Sequence, residues 1–116
     1  FSLYQIYIVS FLITVITASK PVIMKWNTKT VLSRNVSYPF SCATVSGTPP
    51  FRYEWHKNGV SITQTSRILI QNFDSFSTLT LTKIVSDDSG EYSCRIHNLD
   101  GYDTTVTSLI VQGLFL

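Results

Sequence analysis

The feature that most constrains this chain is a short run from Asp87 to Cys94, which reads DDSGEYSC. Asp and Ser favour turns because their side chains bond the local backbone, and Gly tolerates dihedral angles that other residues avoid. After Gly90 the sequence alternates, with Tyr92, Cys94 and Ile96 on one side and polar residues on the other. This period of two predicts a turn that leads directly into a half-buried strand.

Two further runs alternate in the same way. One places Tyr38, Phe40 and Cys42 on one face, and the other runs from Phe51 to Trp55. A tyrosine two residues before the second cysteine, directly after a turn, is the pattern of a tyrosine corner. In a tyrosine corner the ring packs inward and the hydroxyl bonds the backbone upstream.

Together these residues resemble the immunoglobulin-like domains, and most closely those of the I-set kind. The resemblance covers residues 21–112. The segment between Trp55 and Leu79 is too short for the extra strand of variable-type domains, which favours the I-set. The matching positions are Cys42, Trp55, Leu79, Leu81, Ile84, Asp88, Gly90, Tyr92 and Cys94.

The resemblance implies an all-β fold, a two-sheet antiparallel Greek-key sandwich of the immunoglobulin type. By itself a fold does not define a function. Trp55 is expected to pack on the two cysteines at the centre of the core. The other expected core residues are Phe40, Tyr53, Leu79, Leu81, Tyr92, Ile96, Leu109 and Val111.

Two cysteines in a small β domain indicate one disulfide, between Cys42 and Cys94, and an oxidising compartment. The alternative is two reduced, buried thiols, as in the intracellular immunoglobulin domains of muscle proteins. The apolar start of the chain favours the disulfide. Such a bridge closes a loop of about 50 residues and is expected to stabilise the domain by roughly 4 kcal/mol.

Residues 1–19 contain no charged side chain. An apolar stretch that ends in small residues predicts a secretory signal peptide, cut before Lys20. The absence of an initiator Met and of a basic start departs from that pattern and is explained most simply by a fragmentary sequence. An uncleaved membrane anchor is the alternative, since a spanning helix needs about 20 apolar residues; a buried strand pair is the third. The expected division is a leader at 1–19, an immunoglobulin-like domain at 20–113, and the start of a linker or a truncated end at 114–116.

Three features of the predicted strands matter later. The segment from Pro21 to Trp26 is predicted as the first edge strand, which residues 30–32 continue after a break. Pro39 faces outward in the second strand and removes a ladder donor, so a bulge or weak pairing is expected there. Asn35 begins the chain's N-x-S sequon and is a candidate glycosylation site; the alternative is a turn Asn in a left-handed conformation.

No enzyme signature is present in the sequence. It has neither a nucleophile elbow nor a phosphate-binding glycine loop. The 9 Lys and Arg residues are scattered, so no nucleic-acid footprint is expected. His56 and His97 face outward on strands that neighbour each other in this fold, but a zinc site needs three or four ligands. We therefore expect two solvated histidines, no metal and no cofactor.

Because Trp55 and Cys94 face inward, the residues that alternate with them along their two strands are expected to face outward. One outer sheet face then combines mixed charge, imidazole and two β-branched residues, which predicts a partner surface. The alternative is an ordinary solvated face whose charges pair across the strands. The residues of this possible binding face are Arg52, Glu54, His56, Ser93, Arg95, His97, Val106 and Ile110.

A second pair of residues is expected to act structurally. In domains of this kind an Arg before the fourth strand often pairs with the Asp of the turn, which here predicts an ion pair between Arg67 and Asp88. Asp87 is the competing partner. The pair would fix one end of the sandwich.

The resemblance implies a non-catalytic recognition or adhesion module of a secreted or cell-surface protein. Its partners are expected to be proteins, with another immunoglobulin-like domain as one candidate. The protein is expected to contact a membrane only through the leader, an anchor or a segment outside this sequence. The alternatives are a mechanical spacer of a titin-like intracellular muscle protein, or part of a receptor ectodomain whose enzymatic portion lies elsewhere.

Overall fold

In the computed structural model, residues 17–113 form a sandwich of two β-sheets. One sheet has the strand order β1-β3-β7-β6 and the other β2-β9-β8-β4-β5. The predicted all-β immunoglobulin-like sandwich is confirmed. The strands are β1 Val22–Ile23, β2 Lys29–Ser33, β3 Tyr38–Ser46, β4 Arg52–Lys57, β5 Val60–Ser61, β6 Ile68–Asn72, β7 Phe76–Leu81, β8 Gly90–Asn98 and β9 Gly101–Gln112, and a 3₁₀ turn spans Ser86–Asp88.

The core lies between the sheets, where the period-two patterns meet. A disulfide joins Cys42 of β3 to Cys94 of β8, and Trp55 stands opposite Cys94 in the register of β4 and β8. The indole Nε1–H of Trp55 donates to Ser77 Oγ at 2.9 Å, so its polar atom is satisfied inside the core. The fully buried apolar residues are Ile23, Phe40, Cys42, Trp55, Leu79, Leu81, Ile84, Tyr92, Cys94, Ile96 and Leu109.

Two of the expected core residues lie at its margin. Tyr53 and Val111 are half-buried and pack against the buried cluster. The Tyr53 hydroxyl donates to the carbonyl of Phe73, which explains why the ring reaches the surface. Trp26 was not expected in the core, yet its ring stacks on Trp55 with centroids 5.7 Å apart.

The tyrosine corner is present. The ring of Tyr92 is buried, and its hydroxyl donates to the carbonyl of Asp88 at 2.7 Å. Burial raises the pKa of this phenol to about 12, with a smaller contribution from the charge of Asp88. The hydroxyl therefore stays protonated as a donor throughout the physiological range.

The first strand differs from the prediction. Only Val22–Ile23 pairs with β3, and residues 29–33 form β2 in the opposite sheet, parallel to β9, instead of continuing the edge. The reason is a crossing of the chain from one sheet to the other. The Ile23 N–H donates to the Asp103 carboxylate, and the Trp26 N–H donates to Thr105 Oγ1.

The bulge expected at Pro39 is absent. The register of β3 and β7 runs without a shift from Tyr38 to Ala43. Pro39 lies on the part of β3 that β1 does not reach, so one side of this stretch needs no ladder donor. An irregularity occurs instead between Val22 and Ile23.

Near the start of the described residues, the backbone is hydrogen-bonded to two loops of the domain. The Ser19 N–H donates to Thr48 Oγ1, and the Ser19 carbonyl accepts from the Thr48 N–H and from Asn98 Nδ2. Most of the predicted leader and the last three residues lie outside the described part of the chain. Within residues 17–113, no helix has the length and apolar character needed to cross a membrane.

Candidate binding face on the β4–β8–β9 sheet

The predicted outer face is built by the pairing of β4 with β8 and of β8 with β9. Arg52 lies opposite His97, and Glu54 lies opposite Arg95. His56 lies opposite Ser93 in the same way. The cysteine and tryptophan on these strands are buried, so alternation turns the predicted residues outward as expected.

Strand β9 completes the face with alternating outward residues. Val106 and Ile110 are 41% and 39% exposed, as the inward position of Leu109 requires. Val31 of β2 pairs with Ile110 and is 47% exposed, which extends the apolar strip. We call the exposed surface of β4, β8, β9 and β2 the binding face.

Sequence reasoning missed Tyr102 and Thr104 as members of the binding face. Tyr102 lies opposite His97 and Thr104 opposite Arg95, both on β9. Of this strand, only Val106 and Ile110 were predicted to lie on the outer face. Following the alternation back from Val106 would have found both residues.

Among the charged side chains of the binding face, Arg95 is held in place by contacts with two neighbouring residues. Its guanidinium lies over the ring of Tyr102 at 4.3 Å, and its Nε–H donates to Thr104 Oγ1 at 3.2 Å. A shallow depression of about 320 Å³ adjoins it. The residues lining that depression are Glu54, His56, Gly59, Glu91, Ser93, Arg95, Thr104 and Val106.

The two histidines do not form a joint site. His97 Nε2 hydrogen-bonds Glu54. His56 lies opposite Ser93, and on β4 it is four residues from Arg52, which lies opposite His97. At about 3.3 Å per residue, that spacing is roughly 13 Å. Within residues 17–113, no group of three or more His, Cys, Asp or Glu side chains could hold a metal ion.

The predicted pair of Arg67 and Asp88 is present and lies away from the binding face. Arg67 Nη1 and Nη2 donate to the two Asp88 oxygens at 3.1 and 2.9 Å, and the Val85 N–H adds a third bond. Asp88 is 5% exposed. Asp87, the competing partner, instead offers its backbone carbonyl to Lys57.

Asn35 lies in the turn between β2 and β3. Its side chain is exposed, and its φ of 69° is in the left-handed region that Asn tolerates. The turn lies beside the end of β9, because Ser33, Arg34, Asn35, Gln112 and Gly113 line one shallow cavity. The left-handed turn conformation given above as the alternative is therefore observed, and the exposed side chain leaves the sequon accessible.

A disulfide-linked two-sheet sandwich with a buried Trp and a tyrosine corner defines the class of immunoglobulin-like domains. The chain belongs to the immunoglobulin I-set family, because the model of the immunoglobulin I-set domain matches residues 13–111.

The relatives include a junctional adhesion molecule and a titin. Junctional adhesion molecule A of Homo sapiens is 30% identical over 109 residues, which cover 87% of this chain and 34% of that protein. Titin of Drosophila melanogaster is 35% identical over 66 residues, which cover 57% of this chain and 0% of that protein's length. The chain thus spans about a third or less of these two relatives.

A solved titin domain shows the same fold. The structure of titin domain M7 superposes with a TM-score of 0.75 at 26% identity, covering 84% of this chain and 99% of that domain. The strand arrangement is therefore shared.

Proposed function

We propose that this chain is a non-catalytic recognition or adhesion module of a secreted or cell-surface protein, and that it binds protein partners through the binding face. The observation that carries the proposal is the composition of that face. Exposed Val106 lies on β9 two positions from Thr104, close to the Arg95–Tyr102 stack. Exposed Val31 and Ile110 form an apolar strip toward the other end of β9. Protein interfaces are enriched in such aromatic and Arg residues.

Two features support the proposal of a secreted or cell-surface compartment. The disulfide between Cys42 and Cys94 persists in an oxidising environment. The leader at residues 1–19 would act as the secretory signal, followed by the domain at 20–113. Removal before Lys20 would also remove Ser19 and its bonds to the loops, so N-terminal sequencing of the secreted chain tests the cut directly.

Asn35 is proposed as the glycan-bearing residue of this secreted form. Its turn is at the end of the sandwich where β9 finishes, away from the depression beside Arg95. A glycan there would leave the depression beside Arg95 open, while it would stand close to Val31 and Ile110 at the same end of the sheet. Modification at Asn35 is therefore compatible with recognition at that depression.

The test of the proposed function compares two matched substitutions. Ile110→Asp places a charge on the binding face, and Leu69→Asp places one on the opposite sheet, where the side chain is 42% exposed. The chain is clustered on fluorescent beads and applied to cells before and after their surface proteins are digested. We expect protease-sensitive binding that Ile110→Asp abolishes and Leu69→Asp preserves. Equal binding by both variants, at unchanged thermal midpoints, would contradict the proposal.

The second candidate is a mechanical spacer in a titin-like intracellular protein. It is favoured by the positions of the domain's two ends. The Lys20 side chain lies beside Gly101 at the start of β9, whereas Gly113 lies beside Asn35 at the far end of that strand. A chain that enters and leaves at opposite ends suits a linear array, but the cytosol would keep the two cysteines reduced.

A further inference from the structure

Arg95 is held in place without a carboxylate partner among the described residues, whereas the guanidinium of Arg67 is paired with Asp88. The planar group of Arg95 is fixed on one side by the Tyr102 ring and at Nε by Thr104. The side chain is also half-buried. A guanidinium that is already ordered loses less conformational entropy when it binds a further group.

The charge of Arg95 is not neutralised within the described residues. The facing carboxylate of Glu54 bonds His97 instead, and no carboxylate among residues 17–113 lies within salt-bridge distance of Arg95. Arg52, two positions from Glu54 on β4, is exposed and likewise makes no ion pair there. This end of the binding face therefore carries two guanidinium groups against one carboxylate.

We propose that Arg95 is the anchor for an acidic side chain, Asp or Glu, presented by the protein partner. This inference rests on the proposed function and names the chemistry of the partner. With Nε engaged by Thr104, Arg95 keeps the N–H groups of Nη1 and Nη2 to donate to both oxygens of a carboxylate. Tyr102 supplies an aromatic surface for the rest of the partner side chain.

The neighbouring groups fit this assignment. Ser93 and Thr104 line the depression beside Arg95 and offer hydroxyl groups that a carboxylate can accept from. Val106 lines it on the apolar side. Two carboxylates also line the depression and oppose the incoming charge: Glu54, which faces Arg95, and Glu91, which lies four positions from Arg95 on β8. Neutralising Glu54 should therefore tighten binding rather than weaken it.

The test is a nuclear magnetic resonance titration of the secreted chain with a blocked Gly-Glu-Gly peptide. The matched control is Gly-Gln-Gly, which has the same shape without the charge. We expect a saturable shift of the Arg95 side-chain N–H signals with a millimolar dissociation constant, and none with the Gln peptide. Arg95→Met should weaken binding roughly tenfold or more, Glu54→Gln should strengthen it, and Arg34→Met, on the turn at the other end, should change nothing.

Three results would overturn the inference. One is equal binding of the Glu and Gln peptides, and another is unchanged binding by Arg95→Met. The third is a stronger response to glucuronate than to the Glu peptide, which would assign the anchor to an acidic sugar. Failure here is separable from failure of the proposed function: if Ile110→Asp still abolishes cell binding while Arg95→Met does not, the binding face stands and only the anchor is wrong.

Discussion

The ion pair of Arg67 and Asp88 offers the sharpest test of how the domain is stabilised. Asp88→Asn keeps the shape of the side chain but removes the charge that accepts two guanidinium bonds and the Val85 N–H. Hydrogen bonds to a charged group contribute about 1.5–3 kcal/mol. Because the Arg67 side chain is 40% exposed, water replaces part of what is lost. We expect the free energy of unfolding to fall by roughly 2 kcal/mol at pH 7.

The pH dependence of this loss has a definite sign. Burial raises the pKa of Asp88, but the Arg67 bonds, the Val85 N–H and the nearby positive charges outweigh it, so the pKa lies below its ordinary value. A carboxyl with a lowered folded pKa stabilises fully above its unfolded pKa, near 4, and loses that contribution as pH falls through the folded pKa. The gap between the two proteins should therefore be constant from about pH 7 to 5 and close below about pH 4.

The assay is urea unfolding followed by tryptophan fluorescence at several pH values, since guanidinium chloride would screen the pair. Asp87→Asn is the matched control, because that neighbouring side chain is exposed and should shift stability by less than about 0.5 kcal/mol. A gap that is absent at pH 7, or one that persists unchanged at pH 3, would refute the reasoning.

Three further predictions concern the core and the surface. Trp55→Ala should lower the free energy of unfolding by roughly 3–5 kcal/mol, since the side chain is 3% exposed; a loss below 1 kcal/mol in urea unfolding would contradict its central role. Reduction of the bond between Cys42 and Cys94, which lie 52 residues apart, should cost roughly 4 kcal/mol and lower the thermal midpoint; an unchanged midpoint counts against it. Secreted material should gain gel mobility after endoglycosidase treatment, and the Asn35→Gln variant should not; equal mobility before and after would exclude the glycan.

The sequence predicted the features that depend on local alternation of apolar and polar residues. Cys42, Trp55 and Cys94 each sit in a period-two run, so the inward and outward faces of their strands followed directly. The outward positions of the face residues followed as well, because a one-residue slip would have turned those residues inward. The Arg67–Asp88 pair, which is present, was expected from the resemblance to immunoglobulin-like domains and not from alternation.

What the sequence did not predict depends on partners far away along the chain. Residues 29–33 have the same local pattern in either sheet, and only their pairing with β9 places them opposite β1. Alternation back from Leu109 turns Thr105 and Thr107 inward, but it does not identify what their hydroxyls bond, namely the Trp26 N–H and Thr30. Local periodicity carries no signal for such cross-sheet contacts.

The measurement that tests the central claim most directly is the redox state of the two cysteines in protein taken from its native source. Cells are lysed in a denaturant with an alkylating reagent, and the masses of the peptides containing Cys42 and Cys94 are determined. If the chain is an extracellular recognition module, its cysteines are bonded to each other and neither is labelled until a reductant is added. Complete labelling of both cysteines without reductant would contradict the account and assign the domain to a reducing compartment, as the spacer alternative requires.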